Sequence, residues 1–465
     1  MIRFFKKFDI IQLVVLFILL LLFRLPVFLN GKPLLLQELD WLLIGERLGN
    51  GFMMHRDIYD ITGPFAAFTY YISDLIAGKS QISLFILSTL FVFVQAGFCV
   101  LIFNANSVFR ERTTLPGLFY ILFSSAFFDF YTLSPTLLGL TFLILSLHFL
   151  FKQVRSVITQ ELMFYTGLCI GVASLFSIDF SVFLLFAFSS TIFFANPDLR
   201  KALILVVGFF FPFMITGVYY FFGNGFGYFF QQNFVALFSY PQQSFFLFDV
   251  AVLISVIPSG LLLAGLAFII NRSKLINYQY NIVKIMFLWL IFSAVYLIVS
   301  LELALNSMLV FLPVLVFFTS HLFLLFSGKV LEESVFWTCA VCILMLNYGI
   351  LYKFALRKKN IDFSAIVVNQ DVKISEGKKI LVLGNEKSFY HNNTLATPYF
   401  NWQLSEPVLR RQDHYSSVIT TYKNFKSDLP EIIIDKNAVM PEVFNRIPEL
   451  EKIYSKDGMF YFLKQ

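Results

Sequence analysis

Residues 31–80 read GKPLLLQELDWLLIGERLGNGFMMHRDIYDITGPFAAFTYYISDLIAGKS and form the longest polar interruption in an otherwise apolar chain. One apolar run ends near Leu29, and the next begins near residue 81. Acid–base chemistry needs ionisable side chains within reach of a substrate, and this loop is where the chain concentrates them. We therefore expect the apolar remainder to act as a scaffold that holds the loop at the boundary between water and lipid.

The composition predicts a polytopic α-helical membrane protein. The chain has 465 residues, of which 58% are hydrophobic and only 14% charged, with a mean hydropathy of +0.76. Soluble domains contain about 25% charged residues, and about 20 apolar residues suffice to cross a hydrocarbon core. The net charge of +6 comes mostly from Lys and Arg beside the apolar runs, as the positive-inside rule expects. A nucleic-acid partner is therefore not expected.

The apolar runs predict about eleven transmembrane helices. The apolar piece at 65–77 is too short to cross comfortably, so we interpret it as interfacial. With that choice, Arg110, Lys152 and Arg200 all fall in loops on the side of the N-terminus, and the later loops on the opposite side, near 129–135, 179, 223–246 and 302, lack Lys and Arg. This is the positive-inside pattern, and it would invert if 65–77 crossed. The predicted spans are 9–29, 81–104, 115–131, 135–151, 161–177, 180–195, 202–222, 247–270, 284–301, 304–326 and 335–355.

The first outer loop, residues 31–80, is predicted to contain two interfacial helices. Residues 34–48 have enough Leu to bury one face in the membrane surface, with Glu38, Asp40, Glu46 and Arg47 in water. Gly63-Pro64 is typical of a helix start and opens the second helix.

Residues 357–465 differ in composition and predict a small soluble α/β domain that follows a transmembrane domain at 1–356. Strands are predicted at 379–384, 431–435 and 459–463, and helices at 416–425 and 441–451. Alternation of strands and helices is typical of α/β folds. An odd number of spans places this domain on the outer face, which is the periplasm if the membrane is a bacterial inner (cytoplasmic) membrane.

Five motifs carry a resemblance to a known family. They are QELDW at 37–41, RDIYD at 56–60, GP at 63–64, LVLG at 381–384 and PEIIID at 430–435. Together they resemble the GT-C superfamily of polyprenyl-phosphate-sugar-dependent glycosyltransferases, nearest to the aminoarabinose transferase and protein O-mannosyltransferase type. Gln37 stands where those proteins commonly have the first of two acids, so a degenerate, inactive relative is the open alternative.

The resemblance implies a transferase that moves a sugar from a polyprenyl-phosphate donor to a lipid, glycan or protein acceptor on the periplasmic face. Glu38 or Asp40 would be the catalytic base, and Arg47 or Arg56 would face the phosphate. A carboxylate can accept the acceptor's proton, and cations stabilise a leaving phosphate. Solvated residues of a surface helix are the competing interpretation of the same side chains.

Further candidates for substrate binding lie near the outer face or the ends of spans. Paired carboxylates can hold Mg²⁺, so a divalent cation (Mg²⁺ or Mn²⁺) is conceivable, but the loop has no Asp-x-Asp motif and no metal ligand is predicted. The additional candidates are Arg24, His55, Asp57, Asp60, Asp129, Asp179 and Glu302.

The competing function class is a catalytically inactive membrane scaffold, or a component of an envelope assembly or transport complex, that uses the outer domain for docking. An enzyme should have an apolar groove that leads to the outer acids. A scaffold should have an exposed apolar patch on residues 357–465.

Overall fold

A computed structural model describes residues 1–155, 159–195, 199–235, 239–272, 275–326, 328–351, 363, 366–369 and 376–464. Contacts divide the chain into two compact units. The membrane unit comprises Met1–Lys32, Ile82–Thr216 and Pro241–Asp362, and the composite unit comprises Pro33–Gln81, Gly217–Tyr240 and Phe363–Gln465. The predicted domain boundary at 356/357 lies outside the described residues and stays a prediction.

The chain is a multi-pass membrane protein, because eight helices among the described residues are long and apolar enough to cross a membrane. Two shorter apolar helices, Gln160–Phe176 and Ile178–Phe194, accompany them. The helices up to the middle of the chain are α1 (Ile2–Phe5), α2 (Ile10–Asn30), α3 (Leu36–Gly49), α4 (Pro64–Ala77), α5 (Gln81–Ala105), α6 (Leu115–Phe123), α7 (Pro135–Arg155), α8 (Gln160–Phe176), α9 (Val182–Ala195), α10 (Leu199–Phe222) and α11 (Phe226–Phe230).

The remaining helices and the strands complete an all-α membrane fold with a small α/β region, as predicted. The helices are α12 (Phe248–Arg272), α13 (Asn277–Val299), α14 (Leu312–Leu325), α15 (Lys329–Leu351), α16 (Trp402–Arg410), α17 (Tyr415–Ser427), α18 (Met440–Arg446) and α19 (Pro448–Ile453). The strands are β1 (Gln243–Ser244), β2 (Glu302–Leu303), β3 (Lys379–Leu383), β4 (Thr394–Leu395), β5 (Ile432–Asp435), β6 (Tyr454–Asp457) and β7 (Phe460–Leu463).

The predicted span at 115–131 is not one helix. Helix α6 ends at Phe123, and a single 3₁₀ turn, Phe128–Tyr131, follows after a break. The hydroxyls of Ser124 and Ser125 both donate to the carbonyl of Ile121. All nine residues of α6 are buried, so this apolar run forms protein core, and an apolar segment of that length is typical of core helices.

Small residues bring α8 and α10 together in the membrane unit. Gly167 and Gly171 of α8 lie against the main chain of Leu205 and Phe209, and Gly208 of α10 lies against the main chain of Phe164. A Cβ at any of the three glycines would overlap backbone atoms. Glycines four residues apart allow such close helix crossings in membranes.

The composite unit contains a five-stranded sheet in the order β4-β3-β5-β7-β6. Strand β3 pairs in parallel with β4 and β5, and β7 pairs antiparallel with β5 and β6. The three strands predicted from the sequence are therefore present, whereas the predicted helix at 441–451 is divided into α18 and α19. Ile447 separates the two with a non-helical backbone.

The first loop and the C-terminal region share one hydrophobic core in the composite unit. Tyr59 of the loop belongs to the same buried cluster as Leu381, Tyr399 and Ile433. The main chain joins them as well, because Tyr59 N donates to Pro398 O and Asn401 N donates to Tyr59 O. Helices α3 and α4 occur where predicted, and Pro64 occupies the first turn of α4. Residues 376–464, which share this core with the first loop, are called the C-terminal module below.

The expectation that the charged side chains of α3 lie in water is wrong for three of them. Glu38, Asp40 and Arg47 are buried, and Glu46 is half-buried. The physical reason is that residues of the C-terminal module, such as Lys387 and Asp428, cover this helix and pair with its charges.

Candidate functional site

Asp40 lies on α3 with one satisfied and one unsatisfied carboxylate oxygen. Its Oδ2 is 2.6 Å from Nζ of Lys387, while its buried Oδ1 has no hydrogen-bond partner among the described residues. The pKa of Asp40 is raised to about 6, mainly by burial; Lys387 opposes this rise, and the charge of Asp60 adds to it. A carboxylate with a pKa close to neutrality is suited to accept a proton.

Glu38 is placed differently, although it is only two residues away. Its Oε2 accepts a hydrogen bond from Leu35 N at 3.4 Å and from Gln81 Nε2 at 2.9 Å. The first of these bonds gives a partner to the N-cap amide of α3, because amides at a helix N-terminus have no partner inside the helix. The geometry supports a structural role for Glu38, and its predicted catalytic role stays untested.

Arg47 is held at the C-terminal module. Its guanidinium pairs with Asp428, and Nη1 also donates to Leu395 O at 3.0 Å. The guanidinium carbon lies 3.4 Å from the ring centre of Phe52. Burial lowers the pKa of Arg47, and Asp428 opposes that effect. The structure therefore gives Arg47 a protein counter-ion, and its predicted contact with a phosphate stays a prediction.

His55 is buried in a network that determines its tautomer. Nε2 lies 3.1 Å from Nδ2 of Asn233, an amide nitrogen that can only donate. Nδ1 lies 3.0 Å from Oε1 of Gln232 and 3.2 Å from the carbonyl of Asp60, which only accept. A neutral ring with its proton on Nδ1 satisfies all three contacts. Burial lowers the pKa of His55 to about 4, in agreement with a neutral ring.

Arg56, Asp57 and Asp60 complete the predicted residues of the loop. Arg56 forms a two-pronged pair with Asp57, with N–O distances of 2.9 and 2.7 Å, and donates to Gly223 O at 2.7 Å. Its side chain is 38% exposed, so it stays accessible to a ligand. Asp60 is buried and its Oδ1 accepts from both the amide and the hydroxyl of Thr62.

Arg24 belongs to the membrane unit, on α2. Its Nη1 donates to Ser88 Oγ at 3.1 Å and to Thr89 Oγ1 at 2.9 Å, and the guanidinium lies 4.5 Å from the ring centre of Tyr131. The residue is 1% exposed. Its Nε and Nη2 have no hydrogen-bond partner in the described part of the chain. The contact with Tyr131 offsets part of the cost of burying this cation.

The other three predicted acids are also in the membrane unit, and the carboxylates of two of them accept hydrogen bonds from main-chain or hydroxyl groups. Asp129 accepts from Asn306 N at 2.9 Å. Asp179 accepts from Ser177, Ser300 and the amide of Leu301 at 3.0–3.2 Å. Glu302 is half-buried in β2, beside Gln243 of β1. These contacts connect loops between helices, and the predicted roles in substrate binding remain predictions.

Within the described ranges, the carboxylates do not form a site for a divalent cation. No three Asp, Glu, His or Cys side chains group closely enough to hold a metal among the residues that the structure describes. Asp60 lies within electrostatic range of Asp40, and Asp40 already holds the ammonium of Lys387. The conceivable Mg²⁺ or Mn²⁺ therefore has no assigned ligands, and the reaction proposed for this site does not involve one.

Sequence reasoning missed Lys387 and Asn233, and it did not link Gln232 to His55. Lys387 follows the carboxyl end of the parallel strand β3, and side chains at such strand ends often bind ligands in α/β sheets, so a local signal existed. Gln232 and Asn233 sit in an aromatic segment, 177 and 178 residues from His55. No local pattern links these distant amides to that ring.

Comparison with known proteins identifies the fold. No family model and no curated protein matches the sequence. The structure is similar to that of ArnT from Cupriavidus metallidurans, solved bound to undecaprenyl phosphate, with a TM-score of 0.57, 10% identity and 97% of each chain covered. It also matches the Archaeoglobus fulgidus oligosaccharyltransferase, in a complex with zinc and sulfate, with a TM-score of 0.46, 12% identity and 97% and 73% of the two chains covered. The similarity to ArnT, over nearly the whole of both chains, shows that this chain has the GT-C fold that its loop motifs predicted.

Proposed function

We propose that the protein is a membrane glycosyltransferase that moves a sugar from a polyprenyl-phosphate donor to a lipid, glycan or protein acceptor, at the periplasmic face of a bacterial inner membrane. The observation that carries this proposal is the buried carboxylate of Asp40, which has one unsatisfied oxygen and a pKa near 6. It lies on the first-loop helix of a GT-C fold.

In the proposed reaction, Asp40 accepts the proton of an acceptor hydroxyl or amine while that oxygen or nitrogen attacks the anomeric carbon of the sugar. The bond between that carbon and the phosphate oxygen breaks, and its electron pair leaves with the polyprenyl phosphate. A general base at this step contributes typically about 10²–10⁴-fold to the rate. Asp40 is preferred over Glu38 because the bonds of Glu38 to Leu35 and Gln81 hold the start of α3 in place.

The lipid phosphate needs a cation, and Arg56 is the better of the two predicted candidates. Arg47 is buried against Asp428, whereas Arg56 is exposed enough to turn toward a ligand. Cations near a leaving phosphate stabilise the developing charge. We assign the phosphate contact to Arg56 on this basis.

The polyprenyl chain needs an apolar site, and the membrane unit contains one. A cavity of about 400 Å³ is lined almost wholly by apolar side chains, among them Phe123, Phe130, Ile254 and Leu312. Ser255 and Ser259 are the polar residues in its lining. An apolar cavity with a polar group beside it is the usual form of a small-molecule site, so we propose this cavity for part of the lipid chain.

The alternative, an inactive scaffold, has weaker support. In the described part of the C-terminal module, the large exposed hydrophobic side chains are Tyr415, Ile419 and Met459. Docking surfaces are normally contiguous apolar patches of several hundred Å², and Tyr415 and Ile419 form only a small pair on α17. The charges of Asp40 and Arg47 are buried, which is more typical of an active site than of a docking surface.

The test is transfer activity of the purified full-length protein in nanodiscs, with a panel of polyprenyl-phosphate sugars. We expect turnover with at least one donor, a loss of about 100-fold or more in Asp40→Asn, and retention of most activity in Glu38→Gln. Thermal unfolding of both variants controls for folding, and Glu38→Gln should change the midpoint little because glutamine keeps an acceptor oxygen for Leu35 N.

Three outcomes decide between the interpretations. If only Glu38→Gln lost activity, with its folding intact, Glu38 would be the base and the proposal of a transferase would stand. Equal activity of wild type and Asp40→Asn would refute Asp40 as the base. A wild type without turnover on any donor, together with normal function of Asp40→Asn in cells, would favour the scaffold.

A further inference from the structure

We propose that Lys387, in the C-terminal module, is a positioning residue for Asp40: its ammonium holds the carboxylate in place and stabilises its charged form. This inference rests on the proposed function of Asp40 as the base. It gives the C-terminal module a direct part in catalysis, which neither the loop motifs nor the fold assigns to it.

The contact between the two side chains is close and largely shielded from water. Nζ of Lys387 lies 2.6 Å from Oδ2 of Asp40, although the residues are 347 positions apart in the chain. The two side chains are only 11% and 9% exposed. Exposed ion pairs contribute little because water screens them, but a shielded pair affects both its partners strongly.

Lys387 is itself held in position by the sheet. It begins the 3₁₀ helix Lys387–Tyr390, which follows β3. The hydroxyl of Tyr390 accepts a hydrogen bond from the amide of Val382 in β3 at 3.0 Å. Nζ of Lys387 also lies 4.6 Å from the ring centre of Phe400. The ammonium therefore has a defined place before any substrate binds, as a group that orients a base must have.

The charges around Asp40 show what Lys387 does there. From the loop, Asp60 raises the pKa of Asp40, and from the C-terminal module Lys387 lowers it. Tyr390 also lies within electrostatic range. On the neighbouring α4, Asp74 lies against Gly45 and Gly49, at the other end of α3. Lys387 thus supplies positive charge to Asp40, and it counteracts burial and the second carboxylate.

A protonated Asp40 cannot accept a proton, so loss of Lys387 should change the pH dependence of the reaction. Without the ammonium, the pKa of Asp40 rises above about 6. An opposite charge at this distance typically changes a carboxyl pKa by about 1–3. A residue that only fastened the C-terminal module would reduce activity by the same factor at every pH.

The experiment compares kcat/KM between pH 5 and 9 for the full-length wild type, Lys387→Met and Lys387→Arg. We expect Lys387→Met to move the acid limb of the profile upward by at least about one pH unit and to regain most activity at pH 9. Lys387→Arg keeps the charge and should restore the wild-type limb at least in part. Lys436→Met is the matched control, because Lys436 belongs to the same module and pairs with Glu386 instead.

The outcomes separate this inference from the proposed function. If the wild type turns over and Asp40→Asn does not, but Lys387→Met loses activity equally at all pH values, the transferase stands and the role of Lys387 is refuted. An acid limb that moves equally in Lys436→Met would also refute it. A wild type without turnover on any donor overturns the proposed function, and the role of Lys387 with it.

Discussion

The two candidate acids of α3 differ in whether their carboxylate oxygens have hydrogen-bond partners. Asp40 keeps one oxygen unsatisfied, whereas Glu38, two residues away, bonds to Leu35 and Gln81. Each unsatisfied buried polar atom costs about 1–3 kcal/mol, and a substrate hydroxyl or amine that donates to Oδ1 of Asp40 would offset that cost. This difference in satisfaction, more than the identity of the acid, makes Asp40 the preferred base.

His55 provides a prediction about stability and pH. Its pKa is lowered from 6.5 to about 4 in the folded protein. Between these values the unfolded chain binds a proton that the folded protein does not, so the free energy of unfolding falls as pH decreases from about 6.5 to 4. The loss attributable to His55 should reach about 2 kcal/mol at pH 5.

Thermal midpoints of wild type and His55→Asn, measured between pH 7.5 and 5, check this prediction. Asn tolerates the left-handed backbone of this position, where φ is +68°. We expect the midpoint of His55→Asn to fall less steeply with acidification. His414→Asn, at an exposed position, should keep the wild-type slope. Parallel slopes for wild type and His55→Asn would contradict the prediction.

Helices in this fold depend on small residues where they cross. The close approach of α8 and α10 follows from Gly167, Gly171 and Gly208. In the composite unit, α3 and α4 meet in the same way, since a Cβ at Gly45 would lie 2.7 Å from Tyr70 O. Between the two helices, Trp41 stacks on Tyr70 with ring centres 5.6 Å apart. These contacts explain why short helices remain well packed.

Gly171→Ala should therefore destabilise the protein. The added methyl group would overlap the main chain of Phe209, and overpacking of this kind typically costs about 1–3 kcal/mol. Gly97→Ala is the control, because Gly97 is inside α5 and a Cβ added there would have no atom within 4 Å. Thermal unfolding in detergent should show a lower midpoint for Gly171→Ala only. Equal midpoints would contradict the prediction, because they would mean that α8 and α10 accommodate the methyl group without a loss of stability.

At the scale of the molecule, the composite unit gathers three distant segments of the chain. Buried charges join the first loop to the C-terminal module at two places, Asp40 with Lys387 and Arg47 with Asp428. The segment before Tyr240 joins through Gln232 and Asn233 at His55. The surroundings of Asp40, which include Asp60 and Lys387, consequently form only when the first loop and the C-terminal module pack together.

Asp428→Asn tests this assembly. The substitution leaves Arg47 buried without its counter-ion, and breaking a buried pair in this way costs about 3–5 kcal/mol. We expect faster trypsin cleavage in the composite unit and a lower thermal midpoint. Glu431→Gln removes an exposed partner of Lys378 and should cost less than about 1 kcal/mol. If both variants behaved alike, Arg47 would not depend on Asp428.

The sequence by itself determined the membrane class, the two helices of the first loop and the principal strands of the C-terminal module. These features depend on local quantities: the length of apolar runs, the Gly63-Pro64 start signal and short apolar strands beside turns. The predicted single span at 115–131 is divided in the structure, because an apolar run has the same composition whether it crosses lipid or fills a core.

Only the tertiary structure decided which charges are buried and what they meet. The sequence placed Glu38, Asp40 and Arg47 in water, and it treated the two acids as equivalent candidates. Their burial, and the pairing of Asp40 with Lys387 across 347 residues, depend on the packing of the C-terminal module on α3. Local sequence patterns cannot specify such a pairing, because the free energy of an ion pair depends on the distance and burial that the whole fold creates.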